Sequence, residues 1–168
     1  LLLWKLKHGH DQAMVRVYEK YKNLLLKIAC ALLNNRSAAE DVVHDVFVRL
    51  TESTDRLRVN GSLKGYLIRS LVNRVHNLNK AARLREAQDL TDDLRACVSK
   101  RPDQWILRSE ELDQLHDALE QLPYEQREVI ALHLRGETTF KRIAQLQGGS
   151  INTTQSRYRY GSKTITTI

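Results

Sequence analysis

Two prolines and two cysteines are all that this chain of 168 residues holds of each, and no apolar run in it approaches the roughly 20 residues that span a bilayer. Cys30 and Cys97 stand far apart, without a CxxC or a convincing Cys/His spacing, so neither a disulfide framework nor a zinc site is supported. Glycine is also scarce, at seven residues, and none of it builds a phosphate-cradling loop; HExxH and the nucleophile elbow are missing as well. An enzyme is therefore not expected. LLLWKLKHGH is too short and too early interrupted by charge for a signal peptide, which points to the cytoplasm and to no membrane insertion. His8, His10 and Asp11 invite a metal, but Asp11 is explained by helix capping and the helix dipole, so no metal and no cofactor is expected.

What is present is helical periodicity and positive charge. Lys and Arg total 27 against 20 acidic residues, a formal net charge of +7, which favours a polyanionic partner and nucleic acid first. Residues 11–33 carry an apolar stripe of Met14, Val17, Tyr18, Tyr21, Leu25, Ile28, Ala29 and Leu32, and NNRS breaks it. SAAE, residues 37–40, reads as a capping box in which Ser37 caps and Glu40 reaches back. In the helix it opens, Val42, Val43, Val46, Phe47 and Leu50 fill one side. Asp41, His44 and Asp45 gather on another, where a like-charge pair at i, i+4 costs an isolated helix roughly 0.2–0.5 kcal/mol. The dipole of the first turns accounts for such acids in part; the functional reading is an acidic surface kept for a basic protein partner.

A long helix from about Ser62 to Ala87 follows, with Leu63, Tyr66, Leu67, Leu71, Val75 and Leu78 inside. Arg69, Asn73, His76, Asn77, Lys80 and Arg83 run along another side with almost no acid among them, whereas a solvated face usually mixes both signs. Residues 88–104 have weak periodicity broken by Pro102 and read as a flexible linker. The pattern resumes with Leu112, Leu115, Ala118, Leu119 and Leu122, passes Pro123 in a first turn, and runs through Val129, Ile130 and Leu134 to Gly136.

Phe140, Ile143, Ala144 and Leu146 then form a short helix stopped by Gly148 and Gly149, and Ser150 caps another. On that last helix Ile151, Thr154, Tyr158, Gly161 and Ile165 face inward, and Asn152, Gln155, Ser156, Arg159 and Lys163 face outward. Those are groups that donate to phosphates and base edges in helix-turn-helix geometry. The fold class expected is all-α: two small helical domains joined by a flexible linker, the second a helix-turn-helix.

The order of these motifs resembles the sigma-70 family of RNA polymerase initiation factors, specifically its extracytoplasmic-function group. LLLWKLKHGHDQAMVRVYEKY is similar to that group's opening helix, SAAEDVVHDVFVRL to its polymerase-binding helix, and GYLIRSLVNRVHNLNKAAR to its helix for the minus-ten element. LEQLPYEQREVIALHLRGETTFKRIAQL with INTTQSRYRYG is similar to the module that reads the minus-thirty-five element. The resemblance implies residues 1–87 as sigma region 2, 88–104 as the linker and 105–168 as sigma region 4. It places Asp41, His44, Asp45 and Phe47 on the helix that docks on the clamp helices of the largest polymerase subunit. Asn73, Asn77 and Lys80 fall along the melted strand or its phosphates, and residues 55–64 in the loop that receives a flipped base. In the major groove it sets Gln155, Ser156 and Arg159 near bases, with Arg157 and Lys163 nearer phosphates.

Core RNA polymerase, promoter DNA and a restraining anti-sigma factor are the partners implied. His44 stands where glutamine is usual, Tyr66 where tryptophan is, Arg142 where a capping glutamate is and Thr154 where valine is; SKTITTI replaces a basic, leucine-bearing tail. Two rivals account for less. A helix-turn-helix regulator acting without polymerase leaves Asp41, Asp45 and the acid-free stripe without purpose. An interaction protein that titrates a sigma regulator would need no DNA contact at all.

Overall fold

The computed structural model describes residues 11–33, 35–53, 62–89 and 118–167, all helix, caps and short turns. Helix α1, Asp11–Leu32, buries Val17, Leu25, Ile28, Ala29 and Leu32 of the expected stripe, while Tyr18 stays at the surface with its ring edge-on to Phe47 at 4.9 Å. Helix α2, Arg36–Glu52, has its cap two residues before Ser37, where the box was expected. Asn35 is its cap, in extended backbone with its side chain accepting from the Ala38 amide at 3.2 Å. Glu40 takes the guanidinium of Arg36 at 2.7 Å instead of reaching back to a cap. At the other end the Ser53 hydroxyl donates to the Arg49 carbonyl at 2.6 Å and closes the helix.

Helix α3, Leu63–Asp89, is capped by Ser62, whose hydroxyl accepts from the Gly65 amide at 3.1 Å, and it continues two residues into the stretch read as linker. Residues 90–104, the remainder of that stretch, lie outside the described residues, as do His8, His10, Cys97 and Leu112. α1, α2 and α3 pack on one another around Val42, Val46, Leu50, Leu67, Leu71 and Val75.

Ala118, Leu119 and Leu122 are buried ahead of helix α4, Tyr124–Ile130, and Pro123 is its cap residue rather than part of its first turn. The helix then widens into a π turn over Ala131–Arg135, closed by the Gly136 amide donating to the Ala131 carbonyl at 3.2 Å. This wider turn buries Leu132 and lays His133 on Phe140, with ring centroids 4.2 Å apart. Glu137 follows with φ of 50°, a left-handed conformation that costs a non-glycine residue about 1 kcal/mol.

Helix α5, Phe140–Gln147, is capped by Thr139 and ends on Gly148 at φ 65°, where a side chain would be strained; the Gly149 amide returns to the Ala144 carbonyl at 2.9 Å. Helix α6, Ile151–Thr167, starts as expected from Ser150, whose hydroxyl accepts from the Thr153 amide at 3.0 Å. The tail of low helix propensity is helical nonetheless. Its hydroxyls bond back one turn, Thr164 to the Tyr160 carbonyl and Thr166 to that of Ser162.

The two helical groups do not stand apart. α1 packs against α4 and its π turn as well as against α2 and α3, so residues of both halves belong to one continuous apolar cluster. A β-carbon at Gly136 would come within 2.6 Å of the Leu132 carbonyl and 3.3 Å of Ile28 Cδ1, which leaves room for glycine only where α1 meets the π turn. Two polar contacts clasp the same boundary, Lys64 to Glu137 at 2.6 Å and His76 to Glu128 at 2.8 Å.

Candidate nucleic-acid interface

α6 has a buried face and a wet one. Tyr158 packs edge-on to both Phe140 and His133, and Gly161 lies against α4 with no room for a β-carbon, which would sit 2.6 Å from Ile130 Cδ1. Thr154 is fully buried where an apolar residue is usual, and its hydroxyl is satisfied by the Ser150 carbonyl at 3.0 Å. Ile151, expected inside, is exposed as the first residue of the helix. Asn152, Gln155, Arg159 and Lys163 are exposed on the outer face, and Ser156 is half-buried beside Arg159, 3.5 Å from its guanidinium. Arg157 departs from that face. It donates to Gln147 Oε1 at 2.7 Å and lies half-buried toward α5.

On α3 the outer stripe is as expected for Arg69, Asn73, Asn77, Lys80 and Arg83, all exposed and all neutral or basic. His76 is the exception. Its Nε2 meets the carboxylate of Glu128, a residue only 1 % exposed, whose second oxygen accepts from Gln147 at 2.7 Å. The hydrogen bond to Glu128 raises the His76 pKa above its ordinary value, against the opposing effect of burial and with help from the charges of Glu128 and Glu125. Tyr124 completes this corner, its ring edge-on to His76 at 5.7 Å and its hydroxyl held protonated mainly by burial. A cleft of about 350 Å³ opens beside it, with Lys80 and Arg83 on one wall and Arg157 and Gln147 on the other.

Glu128 was not among the sequence-derived candidates. Its signal was available: its neighbours four residues either way are Tyr124 and Leu132, so the helical period already puts this acid on an inward face.

On α2, Asp41 and His44 are exposed, and Asp45 is bound by Arg74 of α3, whose Nε and Nη2 both reach Oδ2 at 2.9 and 2.8 Å. Asp45 therefore has a cation of its own chain beside it, while its side chain stays 40% exposed. Phe47 is 6 % exposed and packs under the surface on Tyr18, so it supports the acidic face from below. Residues 54–61, most of the stretch 55–64 expected to receive a flipped base, lie outside the described residues, and Ser62, Leu63 and Lys64 form the cap and first turn of α3. Among the described residues no group of three or more His, Cys, Asp and Glu is placed to hold a metal ion, and no helix is long and apolar enough to cross a membrane.

An α2 face with exposed acid, an α3 stripe from Arg69 to Arg83 without acid and a helix-turn-helix in one chain define an initiation-factor architecture, and comparison with known proteins agrees. Residues 17–88 match the model of sigma-70 region 2 and residues 112–165 that of sigma-70 region 4. The chain belongs to the sigma-70 family of RNA polymerase sigma factors, in its extracytoplasmic-function group. It is 23% identical over 154 residues to the RNA polymerase sigma factor SigV of Bacillus subtilis, covering 91% of this chain and 89% of that one. It is 26% identical over 161 residues to the probable RNA polymerase sigma factor RfaY of Xanthomonas campestris pv. campestris, where 94% of this chain spans only 40% of the relative. Among solved structures, the sigma factor RpoE of Bartonella quintana, in complex with the anti-sigma factor NepR, superposes with a TM-score of 0.68 at 25% identity, over 89% of this chain and 94% of that one. CnrH in complex with the cytosolic domain of CnrY shares the fold, with a TM-score of 0.70 at 20% identity over 99% and 93% of the two chains.

Proposed function

We propose that this chain is a non-catalytic subunit that binds core RNA polymerase, confers promoter specificity and helps open the duplex. The observation that carries the reading is the presence of two separate DNA-type faces, the exposed Asn73, Asn77 and Lys80 on α3 and the exposed Gln155, Arg159 and Lys163 on α6. A simple helix-turn-helix regulator needs only the second. On this reading α6 enters the major groove of the upstream element, while α3 binds bases and phosphates of the melted strand, where contacts must offset a few kcal/mol per extruded base. Asp41 and His44 contact the polymerase clamp. The compartment follows from the partner, since a sigma factor acts where core polymerase is, in the cytoplasm. A protein regulator that covers the chain is proposed by analogy with RpoE, whose solved structure is a complex with an anti-sigma factor.

Binding of purified core polymerase tests the α2 contact. Asp41→Lys should weaken it about tenfold or more with the melting temperature unchanged, because Asp41 is exposed and a reversed charge acts mainly across the interface. Asp45→Lys should weaken binding and also lower the melting temperature, since it sets a second cation against Arg74. Core affinity unaltered in folded Asp41→Lys would remove α2 from the interface.

A further inference from the structure

Lys80 and Arg157 line one cleft, yet the proposed function assigns them to different promoter elements. Elements centred about 25 base pairs apart are separated by roughly 85 Å of duplex at 3.4 Å per step. The arrangement described here therefore cannot serve both, and what holds it closed controls access to DNA. The contacts that do so are specific. Glu128 is buried at the boundary and receives His76 from α3 on one oxygen and Gln147 from α5 on the other, and Gln147 in turn receives Arg157 from α6. One carboxylate thus ties the minus-ten helix to both helices of the helix-turn-helix.

We propose that Glu128 and His76 form an autoinhibitory, proton-sensitive latch that keeps the free chain closed, with Lys80 and Arg157 held on one cleft until the two halves separate. This rests on the proposed function only for what the opening is for. The latch itself follows from the geometry.

The groups facing His76 are Glu128, Glu125 and the protonated Tyr124 on α4, with Gln147 from α5. Arg157 of α6 and Lys80 and Arg83 of its own helix supply the nearby positive charge. With its pKa raised in the closed form, His76 contributes full stability below its ordinary value near 6.5, and that contribution is lost as pH rises through the raised value. The closed form is thus favoured at mildly acidic pH, and alkaline pH releases it. The contact of Lys64 with Glu137 is too exposed to substitute for it.

Small-angle X-ray scattering of the full chain, without DNA or polymerase, reads the latch directly. The radius of gyration of the wild type should increase from about pH 6 to about pH 8.5, across the titration of a histidine with a raised pKa. His76→Gln keeps a neutral donor at that place and should abolish the pH response. His76→Ala should be expanded at both pH values, with its helical content checked by circular dichroism, and should bind promoter duplex roughly five- to tenfold more tightly than the wild-type free chain. A radius independent of pH in the wild type, or the same response in His76→Gln, would overturn the latch. An expanded His76→Ala with no gain in DNA binding would overturn the autoinhibition. Because scattering needs no promoter, a chain that opens on cue yet never supports initiation would sink the proposed function and leave the latch standing.

Discussion

Gly161 shows how one residue fixes the distance between helices. In an isolated helix, replacing glycine by alanine adds about 1 kcal/mol of stability, but here the new methyl meets Ile130 Cδ1 at 2.6 Å and Gln126 Cβ at 3.3 Å. The clash is the larger effect, because Ile130 is itself buried and overpacking a filled core costs about 1–3 kcal/mol. Gly161→Ala should therefore lower stability, read as a reduced midpoint in urea with the slope unchanged; a raised midpoint would mean that α6 is free to shift outward. Thr154 was legible as a departure from an apolar position, but not as a harmless one, because its bond to the Ser150 carbonyl is visible only once the helix start is known. The cap of α2 differs from the one that spacing predicts for a related reason. Asn35 and Ser37 are both good caps two residues apart, and the choice is settled by Glu40 pairing with Arg36, a side-chain competition that no spacing rule ranks.

At the scale of the element, helical periodicity gave the apolar stripes of α1 and α3 and the helix-turn-helix almost in full, since each face repeats on a local period. Contacts between elements distant in sequence were invisible to it. His76 stands in a basic stripe and Glu128 in a helix of mixed charge, 52 positions apart, and neither position by itself announces the other. On α6 the helical period already sets Arg159 on the outer face and leaves Arg157 off it, but it does not show that Arg157 donates to Gln147 of α5 while Arg159 stays exposed. In the assembled holoenzyme, Arg159→Ala should cost about 1–3 kcal/mol at one promoter position and flatten discrimination there. Arg157→Ala should weaken all sequences alike and make the salt dependence shallower by about one unit. Titrations against single-base promoter changes at several salt concentrations would separate them, and identical profiles would mean that α6 reads no bases.

For the whole molecule, the charge excess and the order of motifs were enough to identify the family, whereas the shared core was not foreseen. Two helical modules joined by a linker describe the sequence order correctly, but Ile28 of the first and Leu132 of the second belong to one apolar cluster. Nothing in a single chain's composition distinguishes an apolar residue that faces its own module from one that faces the other. On the proposed function, this molecule tells polymerase where to start. The most direct measurement is transcription by purified core RNA polymerase on a library of randomised promoter sequences, with and without the full chain, mapping every transcript start. Starts should depend on the chain and fall on templates that share two sequence blocks at a fixed separation. Starts that are the same with and without it would mean that the chain does not direct promoter choice.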